Sequence, residues 1–364
     1  MMVIIFKIHV SFSLERTSAR CIQSGLAFWK VMEHDHLERE EKESFPKKEV
    51  EETISSLPRA RGLLFSKDLC QYQGFWFGLN GLVGVILAQQ HFQAQPTDII
   101  LSSVPKSGTT WLKALGFAIV TRNRYDDVNS PLLTEISHEC VPVSIEFSFI
   151  QNKSCRSPDL PLLCTHTSFR CLPKSVITTP GCKIVYICRD PKDTFISLWH
   201  FVNSNIPKST DPFLLEAAVE LFCQGLSFQG PYWDHVLEYW NASLEMPEKV
   251  LFLKYEDIKR DPVFHVKRLA EFMGYPFTLE EESRGMVQKV VDLCSFEKLS
   301  NLEVNKTGKY KLRDKVEVEN RSFFRKGAVG DWKNYLTPEM AARFDQISEQ
   351  KWKASGLSFN VTSS

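Results

Sequence analysis

Residues 98–111 read DIILSSVPKSGTTW, and the prediction of the fold starts from this stretch. Its first part, Asp98–Pro105, is an apolar run of the length of a strand. The segment that follows, Thr109–Arg122, carries apolar residues at a helical spacing, so the tetrapeptide PKSG is predicted to be the loop between a strand and a helix. Gly108 allows the tight turn that such a loop needs.

Two further strand–loop–helix units follow along the chain. In the second, a strand over Cys182–Cys188 precedes the loop RDP and a helix over Lys192–Phe201. In the third, a strand over Lys249–Tyr255 precedes the loop EDIKRD and a helix over Pro262–Gly274. Strands that are apolar on both faces are typical of buried parallel sheets, whose crossovers are right-handed. We therefore predict an α/β fold, a single P-loop-like domain with a central parallel sheet flanked by helices on both faces.

Charged and polar side chains follow the predicted strands at the point where each strand ends. Lys106, Arg189 and Tyr255 each lie there, on three separate units. Because ligands of parallel sheets bind at the carboxyl ends of the strands, we expect these three side chains to line one crevice.

The PKSGTTW loop has the features of an anion-binding site. The backbone amides from Gly108 to Trp111 would project from a helix N-terminus, where unpaired N–H groups and the helix dipole favour an anion. Thr109 and Thr110 add hydroxyl donors, and Lys106 adds a mobile cation. The alternative is an ordinary helix N-cap. The loop is not a Walker A motif, because the lysine precedes the last glycine, so we predict a phosphate donor other than a nucleoside triphosphate with Mg²⁺.

The composition excludes several classes of protein. The chain has 364 residues, with 44 Lys and Arg against 44 Asp and Glu, so no net field attracts nucleic acid or anionic lipid. No apolar stretch reaches the roughly 18 residues that a membrane-spanning helix needs. The ten cysteines are scattered without CxxC pairs, which is typical of reduced thiols and indicates no metal site. We expect a cytoplasmic protein with no metal, no nucleic-acid partner and no membrane partner.

The N-terminal region differs from the rest of the chain. Residues 1–31 contain only one acid, Glu15, and resemble an organelle-targeting leader. The alternative, which we favour, is an over-extended start, because Met32 is followed by a charged segment typical of the beginning of a soluble protein. Residues 32–72 are predicted to be a charged, partly helical lead-in. Residues 73–360 are predicted to be the functional domain.

Five separated motifs occur in an order that is typical of one family. PKSGTTW is followed by TH at 165–166, YICRDPKD at 186–193, KYED at 254–257 and RKGAVGDW at 325–332. Together they resemble the cytosolic sulfotransferases that use 3′-phosphoadenosine-5′-phosphosulfate (PAPS). The stretches HECVP, NLEVNKTGK and FFRKGAVGDWKNYLTPEM resemble the plant branch of that family. The resemblance runs from about Gln73 to Phe359.

The resemblance implies PAPS as co-substrate and a role for each motif. In the family the heptad wraps the 5′-phosphosulfate, and its lysine stabilises the charge that builds on the bridging oxygen as the sulfuryl group leaves. The arginine and serine of the second unit bind the 3′-phosphate, and the RKG strip closes over it. The residues implied for the nucleotide are Lys106, Ser107, Gly108, Thr109, Thr110, Trp111, Arg189, Ser197, Tyr255, Arg325, Lys326 and Gly327.

By resemblance His166 is the general base. An acceptor hydroxyl must lose its proton as it attacks sulfur, and imidazole, with a pKa of about 6.5, suits that task. His138 and His200 are the alternative bases. After His166 the sequence THTSFRCLP differs from relatives, which commonly carry a small apolar residue, proline and an aromatic residue there. We expect this difference to reshape the acceptor pocket.

The expected activity is that of an enzyme of the EC 2.8.2 class. It would move the sulfuryl group from PAPS to a hydroxyl of a small acceptor: a flavonoid, a steroid, a hydroxyjasmonate or a desulfoglucosinolate-like compound. The alternatives are an ATP-type nucleotide-binding protein and a catalytically inactive binding protein on the same fold. The oligomeric state is open, because the dimerisation pattern of animal relatives begins at Lys333 and is broken at Pro338 and Ala342. Candidate residues of the acceptor pocket are Phe75, Trp76, Phe147, Phe169, Phe201 and Trp233.

Overall fold

The computed structural model describes residues 47–64, 68–141, 144–313 and 316–359. The chain divides into two units, Met1–Leu57 and Pro58–Ser364. The described part of the first unit is one helix, α1 (Lys47–Ser55). The predictions for residues 1–31 and for the first part of the charged lead-in lie outside the described residues.

The second unit contains both strands and helices in its described part, and several helices follow one another between some of the strands. The strands are β1 (Arg59–Arg61), β2 (Asp68–Tyr72), β3 (Phe75–Phe77), β4 (Ile99–Ser102), β5 (Leu162–Thr165), β6 (Lys183–Cys188), β7 (Val250–Lys254), β8 (Lys309–Arg313) and β9 (Val316–Glu319). The helices are α2 (Leu79–His91), α3 (Thr109–Thr121), α4 (Ser137–Cys140), α5 (Ile145–Gln151), α6 (Lys174–Thr178), α7 (Pro191–Asn205), α8 (Leu215–Cys223), α9 (Tyr232–Glu245), α10 (Tyr255–Arg260), α11 (Pro262–Met273), α12 (Leu279–Ser283), α13 (Met286–Leu293), α14 (Phe296–Asn301), α15 (Glu303–Thr307) and α16 (Pro338–Trp352). Short 3₁₀ helices lie at Pro131–Leu133, Phe169–Cys171, Asn320–Phe323, Asp331–Asn334 and Lys353–Ser355.

A four-stranded parallel sheet lies at the centre of this unit. Its strand order is β5–β4–β6–β7, and each neighbouring pair runs parallel. All four carboxyl ends therefore lie at the same edge of the sheet. The predicted α/β class and the three predicted strands are confirmed.

Both faces of the sheet are covered, as predicted. Along β6, Ile184, Tyr186 and Cys188 belong to one buried cluster, whereas Val185 and Ile187 belong to a second. Since successive side chains of a strand point to opposite faces, the two clusters lie on opposite sides of the sheet. Helices α7, α9 and α16 contribute to the first cluster, and α3, α11 and α13 to the second.

Local signals in the sequence account for the ends of the crossover helices. Helix α7 begins at Pro191, and the Asp190 side chain caps it. Helix α11 begins at Pro262 and ends before Gly274, whose φ of 86° places it in the left-handed region. Proline at the start and glycine after the end of a helix are favoured for this reason.

The prediction that EDIKRD forms a loop is wrong, because helix α10 occupies this segment directly after β7. Tyr255 and Ile258, three residues apart, are both buried in the second cluster, which gives the segment a helical apolar face. Acidic residues lie in its first turn and basic residues in its last, an arrangement that suits the helix dipole.

The remaining strands form two small antiparallel sheets. Strands β1, β2 and β3 form one, and β8 and β9 form the other. Strands β2 and β3 pair with each other across residue 73. Residues from Pro58 onward form one compact unit with the main sheet. Within the described ranges, no helix is long and apolar enough to cross a membrane.

Candidate functional site

The loop between β4 and α3 makes a left-handed turn at two of its residues. Lys106 has a φ of 72° and Gly108 a φ of 120°. A Cβ at Gly108 would lie 2.9 Å from Cδ1 of Ile187 and 3.1 Å from Cδ2 of Tyr255, so a side chain there would force these two residues to shift. This turn begins α3 at the carboxyl edge of the sheet, where its first amides have no acceptor within the helix.

Two buried hydroxyl groups of the loop form hydrogen bonds that stabilise its conformation. Oγ1 of Thr109 and Oγ of Ser103 are 2.6 Å apart, and Oγ of Ser107 lies 3.4 Å from Oγ1 of Thr194. Thr110 is half-buried, and its side chain makes no hydrogen bond in the part of the chain that the structure describes. The inward-facing hydroxyls thus hold the turn in place, while Thr110 keeps a donor available.

Lys106 is held between aromatic rings and two arginines. Its Nζ donates a hydrogen bond of 3.1 Å to the carbonyl of Ser322 and lies 4.2 Å from the centre of the Phe201 ring. Burial lowers the pKa of Lys106 to about 7, and the positive charges of Arg325 and Arg189 act in the same direction. An anion placed among these three cations would reverse that shift.

Arg189 and Tyr255 lie at the ends of β6 and β7 and contact the same stretch of backbone. Arg189 donates from Nη2 to the carbonyl of Ala328, and the Tyr255 hydroxyl donates to the carbonyl of Gly327 at 2.8 Å. The guanidinium also lies 4.7 Å from the centre of the Tyr255 ring. Two residues predicted from separate units therefore meet at the predicted RKG strip.

The cations of that strip share one carboxylate. Arg325 and Lys326 both form ion pairs with Asp331, and Lys326 Nζ lies 3.0 Å from Oδ1 of Asp331. Burial raises the pKa of Asp331, but hydrogen bonds from Arg325, Lys326 and Asn334 outweigh this effect and lower the pKa to about 2. Asp331 was not identified from the sequence, although it stands in the RKGAVGDW motif.

Ser197 is placed differently from the other predicted residues. It lies in the second turn of α7 and is 8 % exposed. Among the residues that the structure describes, no hydrogen bond joins its hydroxyl to Arg189 or to the RKG strip. Its predicted contact with the 3′-phosphate stays a prediction.

Several buried polar atoms around this crevice have no partner within the described part of the chain. A buried polar atom without a hydrogen bond costs about 1–3 kcal/mol, so a group of them indicates a polar ligand. The rings of Trp111 and Tyr255 also meet edge to face, with centres 5.2 Å apart, where a planar base would have an apolar wall. The unpartnered atoms are Trp111 Nε1, Arg189 Nε, His200 Nε2, Ser322 Oγ and Arg325 Nε.

His166 follows β5 and contacts the strand that carries the loop. Its Nδ1 lies 2.8 Å from the carbonyl of Ser103, which can only accept, so Nδ1 carries the proton and Nε2 keeps its lone pair. Burial lowers the pKa of His166 to about 4, and Lys113 and Lys106 act in the same direction, against the bond to Ser103. The imidazole is therefore neutral at physiological pH, and its Nε2 makes no hydrogen bond to the residues that the structure describes.

The alternative histidines lie nearby in less suitable environments. His138 is buried with its ring centre 4.4 Å from that of Phe323, and burial lowers its pKa well below the usual value. The ring of His200 contacts Trp199 and Tyr335, and burial again lowers its pKa. Of the three, only His166 has a ring nitrogen bonded to the strand end that precedes Lys106.

Two of the candidate acceptor residues, Phe201 and Trp233, lie in different surroundings. Phe201 lies beside Lys106 and packs on Phe323, with ring centres 5.3 Å apart. Trp233 instead lies in the hydrophobic core, where its ring contacts Phe222 and Phe344. Phe323 was missed in the sequence analysis, because only the fold brings it to the lysine.

Comparison with known proteins gives consistent results. The family model described as "Sulfotransferase domain" matches residues 96–356. Flavonol 4′-sulfotransferase of Flaveria chlorifolia is 50 % identical over 314 residues, which cover 84 % of this chain and 95 % of the relative. Cytosolic sulfotransferase 16 of Arabidopsis thaliana is 49 % identical over 312 residues, or 85 % of this chain and 92 % of the relative.

Solved structures agree with the sequence relatives. A putative steroid sulphotransferase of Arabidopsis thaliana has a TM-score of 0.66 and 36 % identity, over 88 % of this chain and 100 % of that one. Mouse sulfotransferase SULT7A1 complexed with PAP has a TM-score of 0.57 and 28 % identity, over 79 % of this chain and 95 % of that one. The site described above thus lies on a fold shared with these proteins.

The steric constraint at Gly108 leads to a testable prediction. Gly108→Ala combines the cost of a left-handed alanine with clashes against Ile187 and Tyr255, whereas Gly285→Ala has a φ of 70° and nothing within 4 Å. We expect Gly285→Ala to lower the free energy of unfolding by about 1 kcal/mol and Gly108→Ala to lower it by clearly more. Urea unfolding of both variants measures the difference, and equal losses would contradict the steric argument.

Proposed function

The chain belongs to the sulfotransferase family and is a sulfotransferase, and on that basis we propose that it transfers the sulfuryl group of PAPS to a hydroxyl of a small acceptor. One observation carries this proposal: Lys106 and Arg189, from two separate units, donate hydrogen bonds to the carbonyls of Ser322 and Ala328, which lie on either side of Arg325 in the chain. Burial lowers the pKa of Lys106 there, and the charges of the two arginines add to the effect. Cations converge in this way where a ligand supplies the negative charge.

The nucleotide is assigned to the crevice group by group. We assign the 5′-phosphosulfate to the amides of the PKSGTTW loop together with Lys106, and the 3′-phosphate to Arg189, Ser197 and the RKG strip. Trp111 and Tyr255, whose rings are in contact, form the proposed wall for adenine. Arginine suits a phosphate because it is permanently charged and donates two hydrogen bonds at once.

His166 is the proposed base, and Lys106 is the proposed cation that stabilises the departing oxygen. The proton of the acceptor hydroxyl passes to Nε2 of His166 as the acceptor oxygen bonds to sulfur. The bond between sulfur and the bridging oxygen breaks, and the electron pair leaves with adenosine 3′,5′-bisphosphate. The Lys106 ammonium offsets the charge on the departing oxygen, an interaction that strengthens in the transition state.

The aromatic surroundings of Lys106 favour a flat, apolar acceptor. Phe201 and Phe323 both lie next to its ammonium group, with ring centres 4.2 and 5.2 Å from Nζ. Two of the relatives are named as flavonol sulfotransferases, at 50 % and 47 % identity. We therefore propose a flavonoid-like phenol ahead of a steroid, a hydroxyjasmonate or a desulfoglucosinolate-like acceptor. Because relatives are named cytosolic, we also propose a cytoplasmic location.

A direct experiment tests the proposed function. Purified protein is assayed with PAPS against a panel of phenols and alcohols, and its thermal unfolding is followed with adenosine 3′,5′-bisphosphate or with Mg·ATP. We expect sulfated products from phenols and an increase in Tm with the bisphosphate, because a ligand that binds the native state stabilises it. An increase only with Mg·ATP would favour the ATP-type alternative, and binding of the bisphosphate without turnover would favour an inactive binding protein.

Substitution of His166 tests the assignment of the base. We expect His166→Ala to lower kcat by about 10²–10⁴-fold, the usual contribution of general base catalysis, and to leave the Kd of adenosine 3′,5′-bisphosphate nearly unchanged. Turnover assays and calorimetry measure the two quantities. His138→Ala is the matched control, since its ring lies among aromatic side chains near the same site. A larger loss of kcat in the control would transfer the role to His138.

The lowered pKa of Lys106 predicts proton uptake on binding. At pH 8 the free lysine, with a pKa of about 7, is mostly neutral, and a bound bisphosphate raises that pKa because it favours the charged form. Calorimetry in buffers of different ionisation enthalpy should show the protein taking up protons at pH 8 and much less at pH 6. Lys106→Met should abolish this uptake. Equal uptake in the wild type and the variant would place the proton elsewhere.

A further inference from the structure

Asp193 joins the two halves of the proposed 3′-phosphate site. It lies in the first turn of α7, is fully buried, and pairs with Arg189 at 3.3 Å. Its carboxylate also accepts hydrogen bonds from the backbone of the RKGAVGDW segment, from Gly330 N–H at 2.7 Å and from Trp332 N–H at 3.0 Å. One side chain thus contacts both the end of β6 and residues 330 and 332 of the RKGAVGDW segment, which are distant in sequence.

We propose that Asp193 is a positioning residue that holds the RKG strip against Arg189 in the geometry required by the 3′-phosphate. The inference rests on the proposed function, because it concerns the same nucleotide. The resemblance to the family implied no role for Asp193, although this residue ends the RDPKD sequence. It does not touch the phosphate in this scheme and acts through Arg189 and the strip.

The two backbone bonds of Asp193 bracket the residue that orients the cations. Asp331 lies between Gly330 and Trp332, and its carboxylate pairs with Arg325 and Lys326. Fixing the backbone on both sides of Asp331 fixes the direction of its carboxylate, and through it the two cations. Asp193 therefore controls the placement of groups that it does not contact.

The other end of the strip has its own attachments. Tyr255 OH donates to the carbonyl of Gly327, and Arg189 donates to that of Ala328. The loss of the Asp193 carboxylate would therefore release residues 330–332 while residues 327–328 stay attached. The expected defect is a misplaced Asp331 carboxylate, and with it misplaced side chains of Arg325 and Lys326, in a site that stays folded.

A purely electrostatic role and a positioning role of Asp193 predict opposite changes in phosphate affinity for the variant Asp193→Asn. Removal of the negative charge beside Arg189 would, by Coulomb attraction alone, tighten the binding of a phosphate. Removal of the acceptor for two backbone N–H groups would weaken it, because an asparagine amide offers one acceptor oxygen in place of two. Asp193→Asn keeps the size of the side chain, so the sign of its effect distinguishes the two roles.

The experiment compares two nucleotides by calorimetry. For Asp193→Asn we expect the Kd of adenosine 3′,5′-bisphosphate to rise by about 10- to 100-fold, the range for lost hydrogen bonds to a charged group, and that of AMP by about twofold or less. The matched control is Asp190→Asn, because Asp190 caps the same helix and asparagine is an equally good cap. The control should bind both nucleotides like the wild type.

Several outcomes would overturn the proposal. Unchanged or tighter binding of the bisphosphate by Asp193→Asn would exclude a positioning role. An equal loss for both nucleotides would indicate general damage to the fold. If the wild type itself does not prefer the 3′-phosphorylated nucleotide over AMP, the proposed function fails, and this comparison does not depend on Asp193.

A second measurement needs no variant. Gly330 N–H and Trp332 N–H donate to the Asp193 carboxylate, so the positioning role predicts slow hydrogen exchange at both amides in the free wild-type protein. Fast exchange at both amides that slows only when adenosine 3′,5′-bisphosphate binds would show that the strip is not held in advance. That result would overturn the proposal even if Asp193→Asn does not fold.

Discussion

The accumulation of positive charge at one edge of the parallel sheet is the constraint on which the site depends. Lys106, Arg189 and Arg325 repel one another there, and after burial, the larger cause, this repulsion lowers the pKa of the lysine further. Carboxylates of Asp193 and Asp331 offset part of that charge. A polyanionic ligand would supply the remainder, so the fold and the proposed substrate are complementary in charge.

The sheet produces this arrangement because its strands are parallel. Each crossover returns the chain to the same edge, so residues far apart in sequence meet within one crevice. A single strand end, that of β4, positions two of the proposed catalytic groups. The loop after it carries Lys106, and the carbonyl of Ser103 orients the ring of His166. Base and lysine are therefore placed relative to each other by a few consecutive backbone atoms.

Much of the fold was predictable from local patterns, and the differences have local physical reasons. The strands Ile99–Ser102 and Lys183–Cys188 lie inside the predicted apolar runs, because buried parallel strands are apolar on both faces. The segment EDIKRD was predicted as a loop because its charges conceal a short apolar face formed by Tyr255 and Ile258. The pairing of β2 with β3 was not predicted, since strand pairing is not visible in composition.

The chemical character of the site was already present in the order of residues along the chain. The PKSGTTW loop and the cations after each strand are local features, and local sequence specifies turns, helix starts and charge. The contacts that surround His166, Asp193 and Phe323 are set by the folded chain. The carbonyl that orients His166 lies 63 residues away from it, and the amides that Asp193 binds lie 137 and 139 residues away. Contacts at such separations depend on how the elements pack, and packing is a property of the whole chain.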